Sequence, residues 1–474
     1  MTYREIPRIA FVSAMSGGGK TTAACAVMRA LSERGLTVSP FKCGPDYIDP
    51  LHHYAAAGQP SVNLDPFFSN AGDLREIFCG NAAGADIAVI EGVMGYYDGM
   101  SFDSAAASTY EVTRTLGAPA VLVLRARGMA YSAAAVINGI VNFRSDSNIK
   151  AVILSDVTEM TYRSLKPVIE KECKIAAAGY IPRLEKKTES RHLGLVLPWE
   201  SDDAALAEAS KTAAETVDME MLLSIAKDAA GVTAPEQPKN TARRTIASGG
   251  LPFADAFAEK RGGGHKKIRI AVAYDRAFCF YYKDNLDILE SMGAEPVFFS
   301  PLKDGKIPES VSGLLLGGGY PELFAKELSE NAAMLSAVKK AIDGGLPCIA
   351  ECGGFMYLHK RLEGGDGRMY DMAGVIDSDA VKRGRLVRFG YSVLTAKRDG
   401  AYLKTGERIK AHEFHYWDSG ENGDGCIAEK PSGKRSWECV HTDGTLFAGF
   451  PHLYFRSCPE FARRFVRQCG RYET

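Results

Sequence analysis

Residues 8–22 constrain the fold of this chain more than any other stretch. Arg8-Ile9-Ala10-Phe11-Val12 is a short apolar run opened by a basic residue, of the length expected for a buried strand. It leads into Ser13-Ala14-Met15-Ser16-Gly17-Gly18-Gly19-Lys20-Thr21-Thr22, and Thr22 to Glu33 then carries apolar residues at helical spacing. A strand, a tight glycine-rich turn and a helix in that order belong to a βαβ layer. Such a turn can also direct several backbone N–H groups at one phosphate. Lys20 then reaches the β/γ-phosphates and the Thr21 hydroxyl is placed for Mg2+. The strict pattern wants glycine six residues before the lysine, and Ala14 stands there. The plainer alternative is a glycine-rich helix entry with an incidental lysine.

Two blocks repeat this α/β logic. In the first, strands are expected at 8–13, 36–41, 86–91, 119–125, 150–155 and 176–180, with helices at Thr22–Glu33, Ser132–Val141 and Ala204–Ala226. In the second, strands are expected at 268–273, 295–299, 312–316 and 346–350, with helices at 282–292, 330–342 and 354–361. Alternation of this kind implies mostly parallel sheets. The tail from Gly384 reads as richer in strand. Asp228 to Lys266 is rich in Ala, Gly, Pro and charge and reads as a linker, with a short helix near Phe253 to Lys260 as an option. The expected division is therefore 1–227, a linker at 228–266, and 267–474.

Composition removes several classes. The 57 basic and 58 acidic side chains nearly cancel, so no polyanion-binding surface is expected and nucleic acid is not a predicted partner. The longest strongly apolar runs, such as Ala118 to Leu124, are far too short to span a bilayer. Met1 to Arg8 lacks a signal-peptide core. Eleven cysteines at irregular spacing in a long chain suit reduced thiols, hence a cytoplasmic setting.

Two acidic clusters follow strands in the first block. Lys42-Cys43-Gly44-Pro45-Asp46-Tyr47-Ile48-Asp49-Pro50 follows the second, and Val89-Ile90-Glu91-Gly92-Val93-Met94-Gly95-Tyr96-Tyr97-Asp98-Gly99 ends the third. Open α/β sheets bind ligands at the carboxyl ends of their strands. Asp46 and Glu91 are thus candidate Mg2+ ligands, direct or through water. Turn stabilisation beside Pro45 and Gly99 accounts equally well for Asp46 and Asp98.

In the second block, Leu346-Pro347-Cys348-Ile349-Ala350 reads as a strand, and Glu351-Cys352-Gly353-Gly354 turns it into a helix over Phe355–Arg361. A sharp turn with small neighbours presents a thiol, and a helix N-terminus behind it favours the thiolate. Gly317-Gly318-Gly319-Tyr320-Pro321-Glu322 follows another strand, and its N–H groups could form an oxyanion hole. His412, His415 and His452 are candidate bases. The bland reading of any one of eleven cysteines is a buried apolar residue. Cys43 and His52-His53 read as structural or substrate-lining rather than as zinc ligands, because no second Cys/His pair has zinc spacing.

Taken together these motifs resemble the cobyrinic acid a,c-diamide synthases of the cobalamin-pathway glutamine amidotransferase family. The likeness rests on Ser16 to Thr22, Phe41 to Pro50, Asn63-Leu64-Asp65, Glu91 to Gly99 and Arg191-His192-Leu193-Gly194-Leu195. It continues through Asp275 to Tyr282, Gly317 to Leu323, Ala350 to Leu358 and His412 to Tyr416, all in family order.

The resemblance implies an α/β fold: an N-terminal P-loop parallel-sheet domain related to dethiobiotin synthetase, then a class I glutamine amidotransferase (flavodoxin-like) domain. It implies that Ser16, Gly17, Gly18, Gly19, Lys20, Thr21 and Thr22 bind ATP, and that Thr21, Asp46 and Glu91 serve Mg2+. Asp49 and Asp98 would position substrate or nucleotide. Cys352 would be the thioester-forming nucleophile, Gly318 and Gly319 the oxyanion hole, and His452 the base, with His415 as runner-up. No acidic third member of that set is identifiable from the motifs. The family usually carries Asp where Arg125 stands and Asn where Ser155 stands.

The implied reaction is ATP-dependent amidation of the a and c carboxylates of cobyrinic acid with glutamine or ammonia, through acyl phosphates. Hydrogenobyrinic acid or nickel sirohydrochlorin are alternative acceptors. A non-enzymatic ATP switch of the partitioning type is the competing reading from another class. Glutamine and a corrinoid or other tetrapyrrole are the expected partners, and a homodimer is possible.

Overall fold

The computed structural model describes residues 2–183, 190–191, 194–195, 197–200, 203–234 and 268–472. The chain separates into two compact units, Met1–Pro252 and Phe253–Thr474. The expected helix near Phe253 to Lys260 lies outside the described residues, as do His192 and Leu193.

The first unit is built on a seven-stranded sheet. Its spatial order is Val62–Leu64, Val38–Cys43, Ile87–Glu91, Arg8–Ser13, Ala120–Arg125, Ile149–Ser155 and Ala176–Ile181, and every pairing is parallel. The Arg8 strand shows why the sheet sits in the middle. Ala10 and Val12 enter one apolar core, while Ile9 and Phe11 enter another, so both faces are covered. The chain runs outward from the Arg8 strand to one edge, returns to Ile87–Glu91, and then builds toward the other edge. Strand order therefore reverses beside the Arg8 strand, the position at which open parallel sheets bind ligands.

All six strand expectations in this block correspond to strands in the structure. The expected helix at Ala204–Ala226 is two, Asp203–Thr216 and Met219–Lys227. Val217 bridges to Gly179, and the Asp218 carboxylate caps the second helix through Met221 N–H, so the chain is anchored between them. Strand Val62–Leu64 and helices Asp49–Ala57, Ala71–Ala82, Thr109–Leu116 and Glu159–Cys173 add to the expected set. Val232–Ala234, inside the stretch that reads as linker, pairs antiparallel with Thr2–Arg4.

The second unit holds a five-stranded parallel sheet in the order Ala294–Phe299, Ile268–Ala273, Gly313–Leu316, Cys348–Glu351, Leu446–Gly449. Two smaller sheets follow; the strand-rich tail supplies every strand of the five-stranded one and one strand, Trp417–Ser419, of the four-stranded one. One of them, antiparallel throughout, ends in Arg408–His415 paired with His452–Leu453. The helix expected at 354–361 stops at Tyr357, and His359–Glu363 is a strand. Burial of His359 explains the switch. Its ring nitrogens bond Phe355 O (2.8 Å) and Ser419 Oγ (2.6 Å), and its strand pairs with Ile376–Lys382. These tertiary partners override local helical spacing. Among the described residues, no helix is long and apolar enough to cross a membrane.

Candidate active sites

In the first unit the loop after Ser13 enters the helix Lys20–Glu33, with Gly17 and Gly19 in left-handed backbone (φ 74° and 91°). Ser155, at the end of a neighbouring strand, braces the loop: its hydroxyl donates to Gly18 O at 3.1 Å. Arg125 turns away to pair with Asp156 at 2.8 Å. The position where the family usually has Asn thus supports the phosphate loop itself.

Glu91 is the hub beneath this loop. It is fully buried, yet both carboxylate oxygens are engaged. Oε1 accepts from Thr21 Oγ1 at 2.5 Å and from Lys42 Nζ at 2.9 Å, and Oε2 meets His53 Nε2 at 2.6 Å. With Nε2–H donating, His53 Nδ1 accepts from Ser61 Oγ at 2.9 Å. Lys42 Nζ also lies 2.5 Å from Asp49 Oδ2. Burial alone pushes the Glu91 carboxyl up, but Lys42, His53 and Thr21 together hold it well below the usual carboxylate range. Burial likewise works against charge on Lys42, and Asp49 and Glu91 more than offset it.

Lys20 is less well served. Its ammonium donates to Met15 O (3.2 Å) and Met94 O (2.6 Å), and burial, reinforced by Lys42, brings its pKa down to about 8. An anion at the loop would restore the ammonium.

Asp46 and Asp98 sit in turns. Asp46 Oδ1 accepts from Ile48 and Asp49 N–H at 2.8 and 3.0 Å, and Asp98 Oδ2 accepts from Gly95 N–H at 2.9 Å. Mg2+ at a phosphate loop draws most ligands from phosphate and water and needs one or two from protein. Thr21 with Glu91 behind it suits that demand. Among the described residues, no cluster of three or more His, Cys, Asp or Glu side chains is arranged as an all-protein metal cage.

In the second unit Cys352 is an elbow. It follows the strand Cys348–Glu351 with φ 48° and ψ −103°, a backbone that side-chain-bearing residues rarely adopt. Its N–H donates to Gly449 O at 2.8 Å, which ties the turn to the segment leading to His452. Gly354 must be glycine, because a Cβ there would stand 2.1 Å from Leu316 O. At Gly318 a Cβ would stand 2.2 Å from His452 Cε1, so the His452 ring packs on the Gly318 backbone. A Cβ on Gly353 would lie 3.0 Å from Gly319 N, which puts that amide beside the elbow. Cys352, His452, Gly318 and Gly319 therefore converge.

The remaining histidines separate from His452. His415 bonds Trp417 O (2.6 Å) and meets Glu413 Oε2 (3.2 Å), and its ring stacks on Phe450 at 4.0 Å. Both of its nitrogens are committed. His412 sits directly across from His452 in the strand pair.

One expectation is corrected. The thiol is not poised as thiolate: burial, with Glu322, Glu413 and Glu351 nearby, pushes Cys352 far up. The helix behind it spans only Gly353–Tyr357, and burial, the largest cause, outweighs it. Burial also brings His452 down to about 3 and His412 to about 3, and it raises Glu351 to about 8. Spacing alone missed the Lys42 and His53 contacts to Glu91, although both residues lie in or beside the quoted Phe41–Pro50 motif.

Comparison with known proteins follows this division. Residues 9–196 match the CobQ/CobB/MinD/ParA nucleotide binding domain, and residues 269–459 match the CobB/CobQ-like glutamine amidotransferase domain. Cobyrinate a,c-diamide synthase of Caldanaerobacter subterraneus subsp. tengcongensis is 39% identical, with 96% of each chain covered. The chain belongs to the cobyrinate a,c-diamide synthase family. The Picrophilus torridus synthase is 38% identical over 96% of this chain and 97% of its own, and that of Salmonella typhimurium is 36% identical over 96% of both. Membership in this synthase family makes the chain a glutamine-hydrolysing, amide-forming ligase with a nucleotide-binding domain.

Proposed function

We propose that this enzyme uses ATP and glutamine to amidate the a and c carboxylates of cobyrinic acid. What carries the reading is the pairing, on one chain, of a phosphate loop backed by Glu91 with a strained cysteine elbow facing Gly319 and His452. A carboxylate resists attack by ammonia because oxide is a poor leaving group. Phosphoryl transfer from ATP gives an acyl phosphate, whose leaving group is viable. Ser16 to Thr22 cradle the nucleotide phosphates, and Lys20 takes up the negative charge that develops during transfer. Mg2+, when bound at Thr21 with support from Asp46 and Glu91, supplies further charge neutralisation. Asp49 and Asp98 position the substrates.

Cys352 attacks the glutamine side-chain amide. His452 takes the thiol proton and returns it to the departing ammonia, and the Gly318 and Gly319 amides hold the tetrahedral oxyanion. Water then hydrolyses the thioester to glutamate.

The acceptor class has its own support. Met15, Met94, Met100, Phe102, Tyr131 and Met160 are exposed, and each follows a strand of the parallel sheet. They therefore line the same edge as the phosphate loop. Large apolar side chains left in water at a ligand-binding edge suit a broad, flat, partly apolar molecule with peripheral carboxylates.

Cys352→Ala tests the division of labour. Glutamine-supported amidation should fall by roughly a thousandfold or more, with ammonia-supported amidation retained. Mass spectrometry of each candidate tetrapyrrole, counting added amides, reads both the activity and the acceptor. Loss of both nitrogen sources in a folded variant that still binds ATP would overturn the reading.

A further inference from the structure

We propose that Glu351 is a positioning residue of the amide-hydrolysing site, the acidic partner that orients His452 for Cys352. The inference rests on the glutamine-dependent reading above. It adds a member to a set whose third group is not visible in the motifs.

Glu351 ends the strand Cys348–Glu351 and immediately precedes the nucleophile. Its side chain is buried and spans to the strand that carries His452. Oε1 accepts from the Leu453 N–H at 3.2 Å, and Oε2 lies 3.8 Å from His452 Nδ1. One carboxyl group thus grips the backbone next to His452 while facing its ring. Nδ1 is thus the ring nitrogen turned to Glu351, while Cε1 packs on Gly318.

At rest burial pushes both groups toward their uncharged forms, raising Glu351 to about 8 and lowering His452 to about 3. Near neutral pH Glu351 works from its ionised fraction, in which Oε2 accepts Nδ1–H once the gap closes; such contacts tighten when substrate binds, whereas a protonated Oε2 would offer an O–H to Nδ1 as the glutamine variant offers an N–H. This fixes the tautomer in which Nε2 accepts. The thiol proton moves to Nε2 and on to the departing ammonia, and Glu351 neither gains nor loses one. Glu413 meets His415 instead.

The test uses the full-length protein and steady-state glutamate release. Glu351→Gln keeps the shape but offers an N–H to Nδ1, which favours the wrong tautomer. Its kcat should fall roughly 10- to 100-fold, as for groups that orient a reacting side chain. KM for glutamine and ammonia-supported amidation should stay within about twofold of the parent. Glu351→Asp should recover part of the loss. Placed on His452→Ala, Glu351→Gln should add less than about twofold, because both act through one ring.

A Glu351→Gln enzyme with parental kcat would overturn the inference. So would a full multiplicative loss on top of His452→Ala, or ammonia-supported activity falling in step. Should Glu351→Gln not fold, the aspartate variant decides: unchanged kcat rejects the role, and a fall at constant KM supports it. A parent enzyme that releases no glutamate overturns the nitrogen-donor reading and this inference together, whereas an active parent with an active Glu351→Gln variant overturns the inference alone.

Discussion

At the phosphate-loop site burial is met by pairing charges, and at the thiol site it is met by removing them. Glu91 and Lys42 are packed as an ion pair, with Thr21 and His53 completing the bonds to Glu91, while burial pushes the carboxyl of Asp49, beside Lys42, up. Cys352, His452 and Glu351 are buried to a similar depth, yet each is pushed toward its uncharged form. The difference follows from what each site must handle. Glu91 and Lys42 supply fixed, preorganised charge beneath the loop, and Lys20, brought down to about 8, regains full charge when a polyanion binds. A thiol site that hydrolyses a neutral amide can stay uncharged until the substrate arrives, and so escapes the cost of unpaired ions in a dry interior.

That contrast can be broken in several ways. Lys20→Ala should have the largest effect. ATP-dependent amidation should drop roughly a thousandfold or more, as on losing a cationic phosphate clamp. Glutamate release without ATP should remain within about tenfold of the parent. Unchanged amidation would reject the phosphate-loop assignment.

Glu91→Gln comes next. It strands part of the Lys42 charge and should cost about 3 kcal/mol in urea unfolding. Glu351→Gln should cost no more than about 1 kcal/mol, because the native acid is already neutral. Equal losses would erase the distinction between the sites.

The third test is acidification from about pH 6.5 to 4.5. Three histidines of the second unit, His359, His412 and His452, have pKa values lowered to about 4, 3 and 3. In this window the unfolded chain binds those protons and the native state does not, so stability falls as pH falls. Glu351, raised to about 8, binds its proton only in the native state here and acts in the opposite sense. A net of about two protons gives roughly 3 kcal/mol lost per pH unit. In the first unit, Glu91 loses its contribution only below the unfolded carboxylate pKa. Hydrogen exchange should therefore show Leu314–Leu316 and Ile349 losing protection before Ala10–Val12. The reverse order would contradict the neutral-site picture.

The smallest effect is expected at the surface. Arg125 pairs with Asp156 but its side chain is 49% exposed. Arg125→Ala should move the urea midpoint by no more than about 0.5 kcal/mol of stability.

Much of the architecture could be read from residue order. Ile9 to Val12 and Ala271-Val272-Ala273 lie in short apolar runs that open after a basic residue and read as buried strands, and the glycine turn after the first marks where ligands approach. The elbow at Cys352 was legible because only small neighbours fit it, as Gly354 against Leu316 shows. What escaped were contacts between distant segments. Helical spacing continued past Tyr357, but His359 found a partner 60 residues away in Ser419, its strand paired with Ile376–Lys382, and the helix ended. Asp46 and Asp98, equally readable as ligands or as turn acceptors, accept turn N–H groups in the folded chain.

Local order thus determined two parallel-sheet blocks, a phosphate loop and a cysteine turn, because each depends on residues a few positions apart. Whether a buried acid is charged was decided only by tertiary packing. Glu91 faces a lysine from a neighbouring strand and stays ionised, while Glu351 faces a neutral ring and one backbone N–H and keeps its proton. The two glutamates are the same side chain at the end of the same kind of strand. Only the dielectric and the partners assembled around them differ.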